Sequence, residues 1–238
     1  MSMGGEKREQ SRAMSTGAVA TTLFLGLEFE ASGAVLRPRT ETELLAMEAL
    51  SRLDEESGDL SIIDMCCGAG NLAAAIQVNR PNARVWACDL TDGAIEATRS
   101  NIGRLGLGQK VSACQGDLFA ALDGLTLEGS IDMIIANPPY ISTKRLTQGD
   151  RAYLLSKEPR EAFDGGPYGI ALHQRILADA PTFLKAGGWL GLEFGLGQAR
   201  QIFALIKRSK VWSDPQWAHD ADGQERVVFI QLIARGRG

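Results

Sequence analysis

The chain has 238 residues, 45% of them hydrophobic and 23% charged, with a formal net charge of −4. That balance is an ordinary globular one and excludes collagen-like, disordered and coiled-coil classes. A pI near 5.3 offers no basic field to a nucleic-acid backbone, and no apolar run reaches the ~20 residues of a membrane helix.

Residues 1–21 read as a disordered tail. The stretch from Glu6 to Ala34 has the outline of a signal peptide, basic, then apolar, then small. It also holds Gly26, Glu28 and Glu30, and it reads better as two short strands, a hairpin over 22–36. An amphipathic helix over 39–53 follows, so residues 22–57 form a hairpin and helix ahead of a main domain over 58–238.

From residue 61 onward, apolar runs of strand length alternate with segments of helical period. The strands fall at 61–66, 84–89, 111–116, 131–136 and 188–194, more weakly near 211–219, and at 225–233. The helices between them fall at 71–79, 92–105 with Thr91 as N-cap, 118–122, 169–184 and 197–208. The last two strands lack a helix long enough for a crossover. The expected class is therefore α/β: a Rossmann-like, seven-stranded, mainly parallel sheet with a C-terminal antiparallel hairpin and helices on both faces. The connection over 141–167 is long for a compact domain and is expected to be a lid or a binding loop. Its Glu158 either shapes that lid or is a solvated charge.

The first strand runs into "DMCCGAGNLA", where Gly68, Gly70 and Ala73 fit G-x-G-x-x-A and Asp89 follows at 89 − 70 = 19 residues. A turn of small residues at a helix N-terminus, with a carboxylate on the next strand for two ribose hydroxyls, points to a nucleotide-type cofactor. A nicotinamide dinucleotide would set its pyrophosphate on that helix terminus. Asp64 puts a carboxylate there instead, which repels phosphate and suits a sulfonium or ammonium cation. Asp117, past the third strand, suits an adenine amino group, although it would also serve as a helix N-cap. S-adenosylmethionine fits this set better than NAD.

The fourth strand ends in "IIANPPYIS". Pro138 and Pro139 have fixed φ angles and no N–H, so the Asn137 side chain and the Pro138 carbonyl sit on a stiff backbone as acceptors for N–H groups. The alternative is a stiff loop that binds nothing. If the two acceptors hold both protons of a planar NH₂, its lone pair is directed at the methyl donor, and Tyr140 packs on its flat face. Metal-ligand spacing is absent and no metal is expected. His173 and His219 read as structural. Of the four cysteines, Cys66 and Cys67 are adjacent while Cys88 and Cys114 lie in apolar runs, a pattern of reduced thiols that points to a cytoplasmic protein.

With "DMCCGAGN", "CDLT", "GDLFAAL", "ANPPYI", "EPREAFDGGPYGI", "LEFGLGQ" and "DGQERVVFIQL" the chain resembles class I S-adenosylmethionine-dependent methyltransferases of the HemK type over most of residues 23–233. Those enzymes methylate the side-chain amide nitrogen of a glutamine in peptide-chain release factors. The resemblance implies S-adenosylmethionine as cofactor, held around Asp64, Cys66, Gly68, Gly70, Asp89, Asp117 and Asn137. It implies a substrate site around Asn137, Pro138, Pro139, Tyr140 and Glu158. Cys66 stands where the family usually has the first loop glycine, and Leu36 and Arg39 replace a proline and a glutamate of its "PRPETE" stretch. The resemblance also implies an N-terminal helical domain that helps hold the release factor, whereas only about 20 residues precede the expected hairpin here. The expected partner is thus a release factor, with an accessory protein supplying the missing surface, or else a small-molecule substrate. A small-molecule or other protein amide or guanidino nitrogen, and a nucleobase amine, remain alternatives. An NAD-binding oxidoreductase would leave Asn137 to Tyr140 without a role.

Overall fold

The computed structural model describes residues 21–30, 37–54, 58–142, 165–166 and 168–233. The hairpin is β1 (Thr21–Phe24) and β2 (Leu27–Glu30), paired antiparallel. Its two-residue turn places both Leu25 and Gly26 at positive φ, the conformation that matches strand twist. Leu25 accepts the strain because its N–H donates to Glu43 Oε1 at 2.8 Å, in the first turn of α1 (Thr40–Leu53). Residues 31–36, where the expected hairpin continues, lie outside the described residues.

Strands and helices then alternate: β3 (Leu60–Met65), α2 (Asn71–Asn79), β4 (Ala83–Asp89), α3 (Asp92–Arg104), β5 (Val111–Gln115), a short 3-10 helix (Leu118–Leu122) and β6 (Ile131–Ala136). After the long connection come α4 (Ala171–Phe183), β7 (Leu184–Glu193), α5 (Ala199–Ser209), β8 (Gln216–His219) and β9 (Glu225–Gln231). The seven-stranded sheet has the order β5-β4-β3-β6-β7-β9-β8, parallel except for β9, which runs antiparallel to both β7 and β8. This is the expected architecture.

Strand periodicity assigns the two faces. On β3, Ile62 joins a core with Phe24, Phe29, Leu45, Ile76 and Ile102, beneath the hairpin, α1, α2 and α3. Ile63 points the other way, into a core with Leu118, Ile176 and Ile202 from the 3-10 helix, α4 and α5. Strand β7 starts earlier than the expected residue 188. Its register jumps from Ile131↔Leu184 to Met133↔Trp189, so three extra residues bulge out beside Gly187 (φ 78°) before regular pairing resumes. Pro215 stands just before β8, the sheet's edge strand, where a missing N–H costs nothing. No helix among the described residues is long and apolar enough to cross a membrane.

Candidate active site

Strands β3, β4, β5 and β6 deliver their C-terminal ends to one edge of the sheet, where open α/β sheets bind ligands. A cleft of about 990 Å³, counted to its open mouth, lies there. Cys66, Gly68, Asp89, Asp117, Asn137 and Pro139 are on its wall, together with Arg37 and Thr42 from the entry to α1.

The glycine turn is built by close approach. Cys66, Gly68 and Gly70 all have positive φ, at 62°, 55° and 77°. A Cβ on Gly70 would stand 3.0 Å from the Thr98 methyl of α3, so the turn and α3 touch only because that atom is missing. Thr98 Oγ1 donates to the Gly68 carbonyl at 2.9 Å, and Asn101 Nδ2 to the Ala69 carbonyl at 3.1 Å. Cys66 holds its left-handed conformation without glycine's freedom. Burial, with the Asp89 and Asp64 carboxylates, pushes its thiol well above the usual range, so it is a neutral thiol. All four cysteines are free.

Asp64 is fully buried and lies behind the turn rather than on the cleft wall. Its Oδ2 accepts the Ala73 N–H at 2.9 Å, while Oδ1 has no hydrogen-bond partner among the described residues. Burial drives its carboxyl up to about 7 against the pull of that N–H. Ala73 is the third residue of α2, and its amide is one of the few that a helix N-terminus leaves for a phosphate. Asp64 already occupies it with a carboxylate. Asp89, at the end of β4, is fixed by backbone amides: Oδ2 accepts from Gly68 at 3.0 Å and Oδ1 from Thr91 at 3.1 Å. Oδ1 also accepts from the Thr91 hydroxyl at 3.4 Å, while Oδ2 retains a second lone pair for a hydroxyl. Asp117 makes no side-chain cap and instead pairs with Arg175 of α4 at 3.0 Å, both half-exposed. A cleft with an acceptor suited to a ribose, one helix-terminal amide already taken by a carboxyl, and a buried acid with a spare oxygen behind it fits a nucleoside sulfonium better than a dinucleotide.

At the end of β6, Asn137 Nδ2 donates to Thr42 Oγ1 at 3.0 Å, which leaves Oδ1 as the free end of the amide. Thr42 in turn faces Glu193 at the end of β7, a buried carboxyl pushed up to about 7 by desolvation and held down in part by Thr42 and Arg226. The Pro138 carbonyl accepts no hydrogen bond from any described residue. The Tyr140 ring lies toward Gly195, where an added Cβ would come within 2.9 Å of its Cδ2. Burial, with the Glu193 charge, raises its hydroxyl above the usual range. His173 is buried with Nε2 2.8 Å from the Glu193 carbonyl, and desolvation lowers it to about 4, so it is a neutral structural ring. Glu158 lies outside the described residues, as does the stretch 143–164 of its loop. Sequence reasoning passed over Thr42 and Glu193. Glu193 stands out only as an acid between Leu192 and Phe194, and Thr42, between Glu41 and Glu43, gave no signal.

A cleft at the C-terminal sheet edge, lined by acids that follow two strands and by an amide that follows a third, fits the architecture of Rossmann-like methyltransferases. Residues 41–194 match the family described as Methyltransferase small domain, and the chain belongs to that family of S-adenosylmethionine-dependent enzymes. It is 37% identical over 206 residues to the release factor glutamine methyltransferase of Moorella thermoacetica, covering 87% of this chain and 70% of that protein. The enzyme of the same name from Geobacter sulfurreducens is 34% identical over 210 residues, covering 88% and 70%. A ribosomal protein uL3 glutamine methyltransferase of Bradyrhizobium diazoefficiens is 35% identical, covering 84% and 62%. Among solved structures, a methyltransferase from Pyrococcus furiosus superposes with a TM-score of 0.60 at 19% identity, covering 87% of this chain and 89% of that one. The N-terminal domain of human METTL16 in complex with SAH gives 0.60 at 13%, covering 86% and 75%. These two establish the fold.

Proposed function

We propose that this methyltransferase acts on the side-chain amide nitrogen of a glutamine in a peptide-chain release factor. The observation that carries the reading is the oriented amide of Asn137: one Nδ2 hydrogen goes to Thr42, which fixes the amide and leaves Oδ1 without a partner among the described residues, ready to accept from a substrate N–H. A carboxamide nitrogen is a weak nucleophile because its lone pair is delocalised. Asn137 Oδ1 and the Pro138 carbonyl, one hydrogen bond each, hold its two protons and leave that lone pair pointing away from both. The same two dipoles stabilise the positive charge that grows on nitrogen, and they need no reorganisation because the prolines fix them. Bound S-adenosylmethionine supplies a methyl group on a sulfonium, an electrophile that needs no protonated leaving group. Cys66, Gly68, Asp89 and Asp117 on the cleft wall are the residues that would hold it, with Asp64 buried behind the turn and Gly70 seating that turn against α3. The product nitrogen is acidic and gives its proton to water.

Two relatives named for release factors, both more than 30% identical across most of the chain, favour that substrate. The relative named for uL3 makes a ribosomal-protein glutamine the second reading. The test is labelled methyl transfer, run side by side on a purified release factor, ribosomal protein uL3, bulk RNA and a metabolite extract. Label on the release factor supports the proposal. Label confined to RNA or to a small molecule refutes it.

A further inference from the structure

The turn after β6 cannot hold itself. Pro138 and Pro139 donate nothing, so the backbone there can be gripped only through its carbonyls. The grip comes from Gln198, in the turn before α5. Its Nε2 donates to the Tyr140 carbonyl at 2.9 Å and to the Gly169 carbonyl at 3.2 Å, and its Oε1 accepts the Gly195 N–H at 2.8 Å. An N–H at one end and two carbonyls at the other permit a single orientation of the amide. The three segments meet too closely for side chains of their own. A Cβ on Gly169 would lie 2.3 Å from the Tyr140 carbonyl, one on Gly165 2.6 Å from the Pro139 carbonyl, and one on Gly195 2.9 Å from Gln198 Oε1. The Gly165 N–H completes the set by donating to the Ile141 carbonyl at 2.8 Å.

We infer that Gln198 is a positioning residue for methyl transfer: by clamping the carbonyl side of the turn it fixes Asn137 and the Pro138 carbonyl against the acceptor nitrogen. This rests on the proposed use of those two acceptors. Gln198 is absent from the wall of the cofactor cleft, so its contribution falls on turnover and leaves donor binding alone. A displacement of the turn by a fraction of an ångström separates two acceptors from two protons at once, which makes turnover sensitive to the clamp.

The discriminating variant is Gln198→Glu. It keeps the acceptor for Gly195 and, when ionised, loses both donors and turns a negative charge on two carbonyls. At alkaline pH it should lower kcat by about 10–100-fold, the loss of one or two hydrogen bonds, with the donor dissociation constant changed less than about twofold. As pH falls the introduced carboxyl takes a proton and regains a donor, so the ratio of variant to wild-type kcat should climb toward one. A purely structural role would show as a loss of unfolding stability and of donor affinity alongside turnover, all recovering over the same pH range. Gln198→Ala has no such proton and should stay low throughout. Equal kcat for wild type and Gln198→Glu at alkaline pH overturns the inference, as does a loss of donor affinity that matches the loss of turnover. Wild-type enzyme inactive on any glutamine, by contrast, refutes the proposed substrate and says nothing against the clamp.

Discussion

Replacing Asp64 by Asn should change the sign of its effect on stability with pH. Asp64 is fully buried, and its carboxyl is pushed from 3.8 to about 7, chiefly by desolvation. At about 1.4 kcal/mol per pKa unit, its ionised form costs the native state on the order of 4 kcal/mol above the raised value. The native protein holds this proton where the unfolded chain has lost it. The stability it contributes is therefore complete below 3.8 and is lost as pH rises through about 7. Asn keeps an oxygen for the Ala73 N–H and never ionises, but its NH₂ gains no acceptor, a cost of ~1–3 kcal/mol. The variant should thus be more stable than wild type by ~1–3 kcal/mol at about pH 8.5, near parity with it at about pH 5, and less stable by ~1–3 kcal/mol at about pH 3.5. Glu193 titrates in the same range in both proteins and cancels in the difference. Urea unfolding at these pH values measures it. Two curves that stay parallel from about pH 3.5 to about pH 8.5 would refute the reasoning.

Asp89→Ala removes an acceptor that also anchors Gly68 and Thr91, and calorimetry should show donor binding weakened by ~1.5–3 kcal/mol. Thr42→Val keeps the shape of the side chain and frees the Asn137 amide; steady-state kinetics should show kcat lowered about tenfold with a smaller loss of donor affinity, since Thr42 is also on the cleft wall, and Thr42→Ser should restore it. Cys66→Gly relieves a left-handed cysteine at φ 62°, and chemical unfolding should show a gain of ~0.5–1 kcal/mol after glycine's own entropy cost.

Alternation of strand and helix period placed every strand of the sheet, because a two-sided parallel sheet writes its burial into consecutive apolar residues. The bulge before Trp189 was not legible, since Ala186, Gly187 and Gly188 look like any turn before a strand, and only pairing with β6 shows where regular register begins. The placement of Asp89 beside the glycine turn was readable because loop and acid lie within one βαβ unit. Asp117 was readable as a residue but not in its partner, Arg175, which is 58 positions away. The acceptor side was half legible: two prolines announce a stiff turn, yet what steadies it comes from Thr42, 95 positions from Asn137, and from Gln198, 58 positions from Tyr140. Contacts of that range leave no local pattern.

The most direct measurement of the central claim is mass spectrometry of a purified release factor after incubation with S-adenosylmethionine and either wild-type enzyme or Asn137→Ala. With wild type, one added methyl should map to a glutamine side-chain nitrogen. With the variant, the rate of its appearance should fall by roughly 10²–10³ while donor affinity holds, the effect of removing one preorganised polar group. A methyl found elsewhere than on a glutamine amide, or one that appears as fast with the variant as with wild type, would contradict it.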